Sequence, residues 1–99
     1  MNNENFSYND LREMAIDAAK AGDSMEYRIE LIKAMCELPE ANKSIHRARW
    51  NDIPLEYFRL VAEDPERYLP RDAEAFRFHF LLLVQSGPFG THIVDFAKA

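Results

Sequence analysis

Apolar residues recur at intervals of three and four near the start of the chain, a pattern that predicts an amphipathic helix. They are small or medium in size: Leu11, Met14, Ala15, Ala18 and Ala19. Ser7 is a favourable N-cap with Asp10 three positions later, and Phe6 with Leu11 can form a hydrophobic staple. Gly22 supplies the left-handed residue that commonly ends a helix. The first helix is therefore predicted between Ser7 and Gly22.

A second helix is predicted to begin at Asp23, an N-cap residue with Glu26 at the third position. So short a connection requires the two helices to fold back as an antiparallel hairpin. Pro39 lacks the backbone N–H and disfavours helical angles at the residue before it, so the helix should end by Leu38. Its apolar arc is too wide for one partner helix, which predicts that further helices pack on it: Met25, Ile29, Ile32 and Cys36, with Tyr27, Leu31, Ala34, Met35 and Leu38 beside them.

The middle of the chain predicts two more helices and a turn. Residues 40–50 favour a third helix, after which Asn51 and Asp52 form a turn. Asp52 is expected to cap a fourth helix that accepts Pro54 in its first turn. The predicted buried side of this helix is Leu55, Phe58, Val61 and Ala62. Asp64, Pro65 and Pro70 then bracket a short turn or a single helical turn.

Residues 72–86 fit two periodicities. Phe76, Phe78 and Phe80 alternate as in a strand, but Phe76, Phe80 and Leu83 also fit a helix. Fifteen residues exceed the usual strand length, and the alanines near the start favour a helix. The alternative pairs residues 76–84 with 91–96 as a β-hairpin across Gly87, Pro88 and Gly90. In the helical interpretation, Thr91 caps a short final helix.

These elements predict an all-α fold, a single small domain of five or six short helices with an N-terminal antiparallel helical hairpin. The alternative fold class is α+β with a C-terminal β-hairpin. A length of 99 residues with 47% hydrophobic residues is suited to one modest core. We therefore expect one compact domain over residues 1–99, with residues 1–6 as a flexible lead.

The overall charge changes which partners are expected. Twelve Lys and Arg against 17 Asp and Glu give a net charge of −5, which disfavours general attraction to nucleic acid or to anionic lipid. One cysteine cannot form an intramolecular disulfide, and the first residues lack a secretory signal pattern. The expected location is the cytoplasm, without membrane attachment.

Residues typical of catalysis or metal binding are present but not grouped. His46, His79 and His92 have no spacing that preassembles a metal site. Cys36 lies near the end of a predicted helix beside Glu37, where a thiolate is disfavoured, so packing in the core is the expected role. No phosphate-binding loop is visible, and Pro88 lacks the N–H that such a loop needs. We expect no catalytic residue, no metal and no cofactor, and the chain is not predicted to be an enzyme.

The most distinctive feature lies in the third predicted helix. Lys43, His46, Arg47 and Trp50 follow the spacing i, i+3, i+4 and i+7, so a helix would place them on one face. Arg and Trp are enriched among the residues that dominate protein interfaces. The alternative is that Trp50 fills the core while Lys43 and Arg47 extend into water. Phe89 is a further candidate for partner binding, since a Gly–Pro turn can expose it, although the stronger alternative is that Phe89 folds back to cover one end of the core.

These features predict a small acidic protein–protein interaction module that regulates, adapts or inhibits a larger protein partner. The alternative function is a nucleic-acid-binding regulator that uses the Lys43, Arg47 and Trp50 face. Sequence-specific DNA binding is disfavoured because Glu56 and Glu63 lie beside Arg59 on the outward side of the next helix. A symmetric homodimer is compatible with the same apolar pattern.

Overall fold

The computed structural model describes residues 6–38 and 53–86. Over these ranges the chain forms five helices and no strand: α1 (Tyr8–Ala21), α2 (Met25–Glu37), α3 (Leu55–Glu63), α4 (Pro65–Tyr68) and α5 (Ala73–Ser86). The fold is all-α, as predicted. The helix predicted at residues 40–50 and the one predicted to begin at Thr91 lie outside the described residues.

The boundary residues of α1 confirm the prediction at both ends. Ser7 Oγ accepts a hydrogen bond from the Asp10 N–H, and the Asp10 carboxylate accepts one from the Ser7 N–H. This reciprocal pair satisfies N–H groups that the first turn leaves without helical partners. Phe6 packs against the core. Gly22 has a φ of 73° and donates its N–H to the Ala18 and Ala19 carbonyls, which ends the helix.

The start of α2 corrects the prediction by one residue. The N-cap is Ser24, whose Oγ accepts from the Tyr27 N–H at 3.2 Å, and not Asp23. The reason lies in the preceding turn, where the Asp23 N–H bonds to the Ala18 carbonyl and completes the end of α1. α1 and α2 pack together as the predicted hairpin. α2 ends at Glu37 with Leu38 as its C-cap, also as predicted.

The start of α3 differs from the prediction. The N-cap is Pro54, with extended backbone angles and no side-chain cap, so the predicted cap at Asp52 and helical position of Pro54 are wrong. The buried residues are Tyr57, Phe58, Val61 and Ala62, whereas Leu55 is 56% exposed. The buried stripe is centred between Tyr57 and Phe58, which leaves Leu55 at its margin.

α5 resolves the ambiguous segment in favour of a helix. Phe76 and Phe80 lie on its buried side and are 0% and 1% exposed. Asp72 Oδ1 accepts a hydrogen bond from the Ala75 N–H at 2.8 Å in the first turn. The α+β alternative is wrong because residues 76–84 are helical and cannot supply a strand. The predicted single turn between Asp64 and Pro70 is α4.

Two side chains of α1 bind the backbone that joins α4 to α5. The buried Tyr8 hydroxyl donates to the Pro70 carbonyl at 2.7 Å, and Arg12 Nε donates to the Leu69 carbonyl at 3.3 Å. The Tyr8 ring also packs against Phe76, with ring centroids 5.1 Å apart. Because Tyr8 and Arg12 are four residues apart, they project from the same side of α1. This side of α1 therefore positions the start of α5.

Candidate functional site

The five residues predicted to bind a partner lie outside the described residues. Lys43, His46, Arg47 and Trp50 fall within residues 39–52, and Phe89 falls within 87–99. Their placement on one surface stays a prediction, as does the alternative in which Trp50 fills the core. The structure describes the two helix ends between which residues 39–52 are held.

These helix ends belong to a pair that packs in antiparallel orientation. Near the start of α2, Arg28 Nη1 donates to the Ala62 carbonyl in the last turn of α3, at 3.2 Å. Further along α2, Lys33 Nζ lies 5.9 Å from the ring centroid of Phe58, which is earlier in α3. The order of contacts is therefore reversed between the helices. It follows that the end of α2 and the start of α3 lie at the same end of the pair.

The Arg28 contact fixes this orientation. Its Nε atom donates to the Asp23 carbonyl at 3.0 Å, while Nη1 bonds to Ala62. One guanidinium thus joins the α1–α2 turn to the carboxyl end of α3. A cation at that end of a helix also interacts favourably with the unpaired carbonyls. The planar guanidinium presents both donors in one fixed geometry, which an ammonium group on a flexible stem does not.

Residues at the shared end of α2 and α3 combine burial and exposure. Ile53 is 7% exposed and belongs to the core. Leu38 is partly buried and packs against the same core. The two residues that flank 39–52 therefore both lie against the core. Leu55, two positions after Ile53, leaves 56% of its surface in solvent. The exposure of Leu55 is not evident from the sequence, because its spacing to Phe58 and Ala62 is that of a buried position.

The outward side of α3 is charged, as predicted. Glu56, Arg59 and Glu63 are all exposed. Two carboxylates flank a single guanidinium, so this face would be repelled by closely spaced phosphates. A helix that enters the DNA major groove needs the opposite balance of charge on its outward side.

His79 is buried in the core of the described residues, with 3% of its surface exposed. Its ring centroid lies 5.9 Å from that of Tyr57, across the α3–α5 contact. Burial lowers the pKa of His79 from 6.5 to about 4, so the side chain is neutral at pH 7. A buried neutral imidazole is placed for packing and for pH-dependent stability.

Cys36 is also a core residue. It is fully buried, and burial raises the pKa of its thiol well above the ordinary value, with Glu37 acting in the same direction. The thiol is therefore protonated at neutral pH and inaccessible to reagents in solution. This agrees with its predicted packing role. Burial likewise raises the pKa of Tyr57, whose hydroxyl finds no hydrogen-bond partner among the described residues.

One shallow groove separates α1 from the α3–α4 junction, with a volume of about 190 Å³. This is smaller than the roughly 300–1,000 Å³ typical of small-molecule sites. In residues 6–38 and 53–86, no group of three or more His, Cys, Asp or Glu side chains is arranged to hold a metal ion. The groove is lined by apolar residues and by charged ones: Ile16, Ala19, Pro65, Lys20, Glu63, Asp64 and Glu66.

Of the large apolar side chains in the described residues, the most exposed lies on α5. Phe78 is 63% exposed, on the side of the helix opposite Phe76 and Phe80. The spacing of the three phenylalanines indicates this exposure once the segment is a helix, because a helix cannot bury positions 76, 78 and 80 on one face. None of the described helices is long and apolar enough to span a membrane.

Comparison of the chain with known protein families, with curated proteins and with solved structures finds no match.

Proposed function

We propose that this protein is a small protein-binding module that regulates, adapts or inhibits a larger protein partner. The observation that carries the proposal is the spacing of Lys43, His46, Arg47 and Trp50. On a helix, this spacing places three potential cations and the only tryptophan on one face. Arg and Trp provide a large contact area with a directional polar group, which is the usual composition of an interface centre.

The attachment of residues 39–52 supports a binding role. Both ends of this 14-residue segment meet the core at the same end of the α2–α3 pair, through Leu38 and Ile53. A segment held at both ends loses less conformational freedom on binding than a free tail. Leu55, exposed two positions after Ile53, can add apolar contact area at this end of the α2–α3 pair.

The distribution of charge supports a partner with an acidic surface. The described residues carry 13 Asp and Glu against 8 Lys and Arg, whereas residues 39–52 carry Lys43, Arg47 and Arg49 against Glu40 and Asp52. The segment is therefore a locally basic region on an acidic protein. Complementary charge of this kind favours a specific partner and repels other basic surfaces. The exposed carboxylates of α3, directly after the segment, favour a protein partner over nucleic acid.

The decisive experiment is affinity capture with matched variants, performed from the native lysate with and without nuclease. The test variant is the double substitution Arg47→Ala with Trp50→Ala. The control is Arg77→Ala with Phe78→Ala, which also removes one arginine and one aromatic ring, both exposed on α5. We expect the wild type and the control to retain a stoichiometric protein after nuclease, and the test variant to lose it.

Three outcomes would overturn the proposal. Equal capture by the test variant and the wild type would remove Arg47 and Trp50 from the interface. Loss of capture in the control alone would place the interface on α5. Recovery of nucleic acid, with affinity that falls steeply as salt rises, would favour the nucleic-acid-binding alternative. Because removal of Trp50 could also unfold the domain, thermal melting of each variant is measured, and Arg47→Glu tests the same face with Trp50 intact.

A further inference from the structure

We draw no further inference here: the strongest candidate, the exposed Phe78 on the outer face of α5, carries nothing because nothing in residues 6–38 and 53–86 shows what covers it.

Discussion

α1 and α5 are both 14 residues long, but their sequences specify a helix in different ways. α1 has a capping box at Ser7 and a left-handed glycine at its end, and its buried residues mix small and large side chains: Tyr8, Leu11, Arg12, Ala15, Ile16 and Ala18. α5 carries large aromatic residues on opposite sides, with Phe76 buried and Phe78 63% exposed. Both ends of α1 are thus marked by local residues, whereas the side of α5 that is buried is set by the core against which it packs.

This difference shows what each kind of sequence pattern can determine. Boundary residues act through local hydrogen bonds, so their effect is visible in a short stretch of sequence. Aromatic residues stabilise α5 only when other helices cover them, so their effect depends on residues far away in the chain. On the buried side of α5, Phe76 contacts Tyr8 of α1 and His79 contacts Tyr57 of α3.

The sharpest test of the two sides of α5 is a pair of alanine substitutions. Phe76→Ala should lower the free energy of unfolding by about 3–5 kcal/mol, because it leaves a cavity in a packed core. Phe78→Ala removes an identical side chain from the exposed side and should change stability by less than about 0.5 kcal/mol. Urea denaturation followed by circular dichroism measures both. A loss at Phe78 as large as that at Phe76 would show that the exposed side is covered.

Acidification should weaken the packing of α5 through His79. Its folded-state pKa of about 4 is below the unfolded value of 6.5, so the unfolded chain binds the proton first as the pH falls. The contribution of neutral His79 to the free energy of unfolding is present above about pH 6.5. It is lost as the pH falls towards 4, and its loss amounts to roughly 2–3 kcal/mol. The measurement is the free energy of unfolding at a series of pH values for the wild type and His79→Gln. Carboxylates titrate in both proteins, so parallel curves would contradict a contribution from His79.

The contact between α1 and the start of α5 is tested by a hydroxyl deletion. Tyr8→Phe keeps the ring against Phe76 but leaves the Pro70 carbonyl without its 2.7 Å hydrogen bond. A cost of about 1–2 kcal/mol is expected for a buried polar group left unpaired. Tyr27→Phe makes the same chemical change at a side chain that is 38% exposed, and should be nearly neutral. Equal melting temperatures for the two variants would show that the buried bond contributes nothing.

The smallest effect concerns the cap of α2. Ser24→Ala removes the acceptor of the Tyr27 N–H and should cost about 1 kcal/mol. Asp23→Ala should cost less than about 0.5 kcal/mol, because Asp23 bonds to Ala18 and Arg28 through its backbone N–H and carbonyl, which alanine retains. Thermal unfolding of the two variants gives the comparison. The reverse order of stability would restore Asp23 as the cap.

Much of the fold could be predicted because its determinants are local. Ser7, Asp10 and Gly22 act within one turn of the chain, and the predicted bounds of α1 are confirmed. The cap of α2 was misplaced because Asp23 and Ser24 are adjacent residues of the same capping class. Which of them caps the helix depends on how α1 ends, since the Asp23 N–H is used there. That hydrogen bond joins two backbone groups, so the identities of the residues alone do not predict it.

The site was less predictable for a different physical reason. Leu55 has the spacing of a buried residue, but exposure depends on which neighbouring helix covers that side of α3. The exposed Phe78 differs, because in a helix its spacing to Phe76 and Phe80 places it on the opposite side. Lys43, His46, Arg47, Trp50 and Phe89 lie outside the described residues, so their common surface remains a prediction from spacing.

The two hydrogen bonds from α1 to the Leu69 and Pro70 carbonyls also constrain the order in which the protein can form during synthesis. Their partners are separated by 57 and 62 positions in the chain. α1 and α2 can pair as soon as both have left the ribosome, because their connection is short. The Tyr8 hydroxyl and the Arg12 guanidinium, however, cannot form these hydrogen bonds until residue 70 has left the ribosome. α1 therefore completes its contacts only after α4 and the residues that follow it have been made.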